Sequence, residues 1–123
     1  ASPPPEDDSR GRGGAARQNL GAEREQRVAD QVGGRRSGEQ VSTTRGSTDI
    51  DVVAPNGDLI AVGGPNKAGN LGNLGRELNI YKEIAAQRGV SARAYFAEGT
   101  PDTALNLARR ILGESNVHIF PGR

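Results

Sequence analysis

Apolar residues in this chain come in short clusters divided by glycine, proline and asparagine, and the spacing inside each cluster assigns the elements. Leu20, Val28, Ala29 and Val32 fall on one helical stripe that Gly33-Gly34 stops, which predicts a helix from Leu20 to about Val32. Glu39 to Thr44 alternates weakly and predicts a short edge strand. A strand from Ser47 to Val53 and an apolar one from Leu59 to Val62 flank Pro55-Asn56-Gly57-Asp58 and predict a hairpin. Leu71, Leu74, Leu78, Tyr81 and Ala85 recur at helical spacing up to Arg88, with Gly89 as the stop. The stretch Gly69 to Gly75 is expected to be loop or frayed helix start, because glycine costs roughly 1 kcal/mol inside a helix. Ala92 to Ala97 predicts a strand. Thr100 is expected to cap a helix that has Pro101 at its first position, runs to Leu112 and stops at Gly113. Asn116 to Phe120 predicts the last strand.

The hairpin turn fixes a register. Proline suits the second position of a type I turn, asparagine the third, and glycine the left-handed residue that follows. A three-residue loop Pro55-Asn56-Gly57 pairs Ala54 with Asp58, Asp51 with Ala61 and Asp49 with Gly63. Paired residues share a face. Asp49, Asp51, Ala61 and Gly63 are therefore expected on one side, with Ile50, Val52, Ile60 and Val62 covering the core on the other. A two-residue Asn-Gly loop would split these sets. Strands joined through helices run parallel. The expected fold class is α/β, a three-layer-like mixed sheet with flanking helices, the hairpin on one side and parallel strands on the other.

Composition narrows the picture. Of 123 residues 33% are hydrophobic and 3% aromatic, and the deficit lies at the start. Residues 1–17 hold no Leu, Ile, Val or Phe and read as a disordered linker, leaving 18–123 as the folded domain, in a chain that reads as a fragment of something longer. With no cysteine and one histidine, disulfides, thiol chemistry and Cys- or His-rich metal sites are excluded. No apolar run is long enough for a membrane span, and no secretory signal is visible. A net charge of +1 does not advertise nonspecific nucleic-acid binding.

The candidate chemistry is a pair of carboxylates on a strand. Aspartate disfavours strands, so Asp49 and Asp51 between core residues point to a site. The neighbouring strand ends in Gly63-Gly64-Pro65-Asn66-Lys67, and lysine occurs elsewhere only at Lys82. Carboxylates that hold a hard divalent cation, with a lysine to stabilise charge on an attacked phosphate, are the parts of a metal-dependent phosphodiesterase. Glu25 and Glu77 are the further carboxylates in play, each also readable as a solvated helix charge. Glu98 stands at a strand end and His118 in the last strand. Arg109-Arg110 reads as a solvated helix face.

The order helix, strand, hairpin, helix, strand, helix, strand resembles the core of the PD-(D/E)xK, or restriction-endonuclease-like, nuclease superfamily. Within it the chain is similar to the C-terminal toxin domains of bacterial polymorphic and contact-dependent growth inhibition toxins. The residues carrying the resemblance are Gly21 to Ala29, Gly46-Ser47-Thr48-Asp49-Ile50-Asp51, the Gly63 to Lys67 run and Glu98-Gly99-Thr100-Pro101, over roughly residues 19 to 121. It implies a nuclease acting on RNA, tRNA in particular, with a divalent metal such as Mg²⁺ held by Asp49 and Asp51. It also implies a cognate immunity protein covering the Asp49–Lys67 side. The domain would be secreted or displayed on the cell surface within a larger toxin, and act in the cytoplasm of a target bacterium. One departure stands out. The family's acid-spacer-lysine falls at Ala61-Val62-Gly63, which has neither acid nor lysine. Either the site has migrated, with Lys67 reaching back and Glu25 or Glu77 supplying a carboxylate, or the domain does not cleave by a metal mechanism. A DNase of the same fold and a non-enzymatic binding module are the rival readings.

Overall fold

Among the described residues seven strands and three α-helices form three layers. The computed structural model describes residues 12–121, with side chains from residue 21 onward. Helix α1 (Arg12–Val32) is followed by β1 (Arg35–Arg36), β2 (Gln40–Thr43), β3 (Gly46–Asp49), β4 (Val52–Val53) and β5 (Leu59–Gly63). Then come α2 (Leu71–Arg88), β6 (Ala92–Ala97), α3 (Asp102–Leu112) and β7 (Val117–Phe120). The main sheet has the order β1-β4-β5-β6-β7, antiparallel on the hairpin side and parallel from β5 to β7. This is the mixed sheet with flanking helices that the pattern predicts.

Each sheet face has its own core. Val28 and Ala29 of α1 pack on Val52, Ile60, Tyr95, Ala97 and Phe120. Leu74, Leu78 and Tyr81 of α2 and Ala104, Leu105 and Ala108 of α3 pack with Leu59, Ala94 and Phe96. A sheet covered on both faces explains why β5 and β6 are apolar at nearly every position.

The turn formed as expected. Ala54 N–H donates to Asp58 O at 3.0 Å and Gly57 N–H to Ala54 O at 2.9 Å. Gly57 takes φ +93°, the conformation that asks for glycine. Val52 pairs with Ile60 and Val53 with Leu59, the register of the three-residue loop. Asp58 is 5% exposed and locks the corner: its carboxylate holds Arg93 at 2.8 Å and accepts from Ser91 N–H at 2.9 Å.

Several expectations need correction. The first helix starts at Arg12, ahead of Leu20, because Ala15-Ala16-Arg17-Gln18 extends it at little cost once it is nucleated. The linker reading for residues 1–11, and the placing of the Leu20 side chain, lie outside what is described. Gln40–Thr43 is a strand, but it leaves the main sheet to form a separate two-stranded ribbon with β3. Asp49 therefore pairs with Gln40 rather than with Gly63. Ile50 packs in the α2–α3 core and Val52 in the α1 core, on opposite sides of the sheet. Helix α2 includes Gly72 and Gly75, since the Asn70 side chain caps it by accepting from Asn73 N–H at 3.0 Å. Thr100 donates its hydroxyl to Ala97 O at 2.7 Å and leaves α3 without a side-chain cap.

Candidate functional site

The two aspartates sit where the chain changes sheets. Had β4 continued toward its N-terminus, Ile50 would face Val62 and its carbonyl would accept the Val62 N–H. That carbonyl instead accepts from Gly38 N–H at 2.7 Å. The orphaned amide is taken by the Asp51 carboxylate, whose Oδ2 accepts from Val62 N–H at 2.9 Å. Asp51, in the break between β3 and β4, thus replaces a missing ladder bond.

Tyr81 of α2 pins the bend from above. Its hydroxyl donates to Asp49 O and accepts from Asp51 N–H, both at 2.9 Å. It is 2% exposed, and burial followed by the Asp51 charge pushes its phenol far above the ordinary range. Tyr81→Phe keeps the packing but leaves both backbone groups without a partner. It is expected to lower stability by about 2 kcal/mol in urea denaturation. A loss under a few tenths of a kcal/mol would mean that the bend holds without the hydroxyl.

Two adjoining cavities meet at this bend. One, of about 210 Å³, is lined by Asp49, Asp51, Gly63, Lys67, Glu77 and Tyr81 among others. The second, of about 430 Å³, takes in Arg24, Glu25 and Asn66 and shares Asp51, Gly63 and Lys67 with the first. All five side chains singled out from the sequence line one or both cavities, although they come from α1, the ribbon, the bend, the 3₁₀ turn Pro65–Gly69 and α2.

Lys67 enters the site over Gly63. A Cβ at position 63 would lie 2.9 Å from Lys67 Cγ, 3.2 Å from its Cε and 3.2 Å from Phe96 Cδ1. The lysine stem thus fills the space that a side chain on Gly63 would take. Its Nζ reaches Glu77 Oε1 at 3.1 Å. Glu77 Oε2 accepts from Asn73 Nδ2 at 3.2 Å, Asn73 Oδ1 accepts from Arg76 Nη2 at 2.8 Å, and Arg76 Nη1 donates to Ser47 O at 3.1 Å. This chain of bonds ties the lysine to the ribbon that carries Asp49. Glu25 turns toward the same space and pairs with Arg36 at 3.3 Å.

Burial drives the Asp51 carboxyl up to about 7. The Val62 N–H and Lys67 oppose the shift, while Glu25 and Glu77 add to it. Among the described residues no group of three or more His, Cys, Asp or Glu side chains is gathered for a metal. Asp49 and Asp51 in one cavity still fit Mg²⁺, which usually takes one or two carboxylates and fills its remaining positions with water or phosphate oxygens.

The other candidates stand apart. Glu98 is exposed and lines neither cavity; its N–H donates to Phe120 O at 2.8 Å. His118 stacks on Tyr95 with ring centroids 4.7 Å apart, and partial burial and then Arg93 lower its pKa. Arg109 bonds Asn106 on its own helix. The sequence pattern does not single out Tyr81 or Arg24 as site residues, whereas Asn73 shares the helical face of Glu77. For Tyr81 a signal existed, since a tyrosine on an apolar helical stripe needs a partner for its hydroxyl.

The fold and the site define a mixed α/β domain with a carboxylate–lysine cavity at the end of its central hairpin. Comparison with protein-family models, curated proteins and solved structures finds no match. Among the described residues no helix is long and apolar enough to cross a membrane.

Proposed function

We propose that this domain is a metal-dependent nuclease with a restriction-endonuclease-like core, acting on RNA and on tRNA in particular. The observation that carries the reading is the convergence of Asp49, Asp51, Lys67, Glu77 and Glu25 on two joined cavities, with the Lys67 stem over Gly63. A lysine arriving from the following turn at the place where position 63 would present one favours a migrated site over a lost one. Asp51, with Asp49, would hold Mg²⁺. When bound, the metal neutralises phosphate charge and lowers the pKa of its water. Lys67 meets the charge that builds on the attacked phosphate, and Glu77 positions the lysine through their ion pair. The resemblance to toxin domains adds a neutralising partner in the producer, one that covers the Asp49–Lys67 side.

The test is cleavage of purified tRNA and of plasmid DNA, each with Mg²⁺ and with EDTA. Cleavage of tRNA alone, lost in EDTA, is the expected result. Plasmid cleavage would make the domain a DNase on the same site. Full activity in EDTA would overturn the metal mechanism, and binding without cleavage would leave a binding module.

A further inference from the structure

We propose that Arg24, laid across Gly64 at the outer end of the site, clamps the phosphate next to the cleaved bond. The proposal rests on the nuclease reading and names how that site holds its strand. Two consecutive glycines each make room for one cation: Gly63 for the stem of Lys67, Gly64 for the guanidinium of Arg24. A Cβ at position 64 would lie 2.7 Å from Arg24 Cζ and 3.2 Å from its Nη2, so any side chain there would push the guanidinium aside.

The guanidinium is set in place with bonding capacity to spare. Its Nε is buried and has no hydrogen-bond partner among the described residues. Among the described residues Arg24 makes no ion pair, whereas Lys67 has Glu77 and Arg36 has Glu25. Arginine does not escape burial by losing its proton, and a buried donor left unbonded costs stability. Arg24 lines the outer cavity, and its planar fork suits a phosphate diester bound through two oxygens. The same cavity holds the Asn66 amide, Lys67 and Asp51. An anion seated on Arg24 therefore lies beside the reacting group, where the adjacent phosphate of a bound strand falls. Asp49, Asp51, Glu25 and Glu77 repel a polyanion, so the strand needs a cation not already given to a carboxylate. Arg24 is that cation among the described residues of the cavity.

Two measurements test this. The first follows the Arg24 Nε–Hε signal by NMR while inorganic phosphate, and separately a 2′-O-methyl RNA oligonucleotide, are titrated into the intact chain, with chloride at matched ionic strength as control. The signal is expected to move with both ligands and not with chloride. The second compares Arg24→Gln, Arg24→Lys and Gly64→Ala with the parent. Arg24→Gln is expected to weaken the oligonucleotide about tenfold and to lower the slope of log Kd against log salt by about 1. With cleavable RNA the loss should fall on KM rather than on kcat. Arg24→Lys should recover the slope but not the full affinity, and Gly64→Ala should reproduce the affinity loss with the arginine charge intact. A stationary Nε–Hε signal in both titrations overturns the clamp, whether or not the variants fold. So does unchanged KM and salt slope in a folded Arg24→Gln chain that still cleaves. A phosphate-dependent shift in a protein that cleaves no nucleic acid leaves the anion seat standing and removes the nuclease reading.

Discussion

Asp51→Asn is expected to cut RNA cleavage by about 10²–10³-fold, the usual size of losing a group aimed at transition-state charge, and to make the domain more stable above neutral pH. Both effects come from one placement. The carboxylate is held in a desolvated corner beside Glu25 and Glu77, with its pKa raised from 3.8 to about 7. An acid whose folded pKa lies above its unfolded one binds the extra proton in the native state. Below pH 3.8 both states are protonated and the ionisation has no effect. Between pH 3.8 and about 7 the unfolded chain ionises first, so stability falls as pH rises, and above 7 the penalty is constant. Asparagine keeps an oxygen for the Val62 N–H and removes the charge. The variant should gain about 2 kcal/mol over the parent at pH 8, with no gain at pH 4, once residual exposure and coupling to the neighbouring charges are allowed for. Urea denaturation at the two pH values, with and without Mg²⁺, gives the answer. Mg²⁺ should stabilise the parent and leave the variant unmoved. A variant that cleaves at more than a tenth of the parent rate, or that is less stable at pH 8, would remove Asp51 from the site.

Moving the lysine is the second large effect. Lys67→Ala should lower cleavage by about 10²-fold, since it removes a cation from the developing phosphate charge. The Lys67 stem now passes where a side chain on Gly63 would start. Emptying position 67 frees that space, so the double variant Gly63→Lys, Lys67→Ala should recover at least about tenfold of the loss. Gly63→Ala alone should also cost activity, because its Cβ would come 2.9 Å from Lys67 Cγ and push the stem aside. Some stability should be lost as well: the Lys67 stem can yield, but the buried Phe96 ring at 3.2 Å must also give. Single-turnover rates on tRNA separate the cases. Failure of the double variant to exceed Lys67→Ala in a folded protein would mean that position 63 is not where this site wants its lysine. Unchanged rates in Lys67→Ala would take the lysine out of the chemistry.

The features legible in the sequence are those set by neighbours along the chain. Pro55-Asn56-Gly57 dictates its own turn, and the turn fixes the register that pairs Val53 with Leu59 and Val52 with Ile60. The apolar runs of β5 and β6, each followed by a helical stripe, give the parallel half of the sheet. Asp49, Asp51 and Lys67 stood out because aspartate is ill suited to strands and lysine is scarce here. The sequence did not reveal the break at Ile50–Asp51. It depends on Gly38 taking the Ile50 carbonyl and on Tyr81, thirty residues further along the chain, holding Asp49 and Asp51. A local pattern carries no record of such distant partners, so the strand read as continuous and Ile50 was assigned to the wrong core. The same limit applies to the two glycines after Val62. Their spacing shows only a loop, because what requires glycine there is the stem of Lys67 and the guanidinium of Arg24, brought in by the packing of other elements.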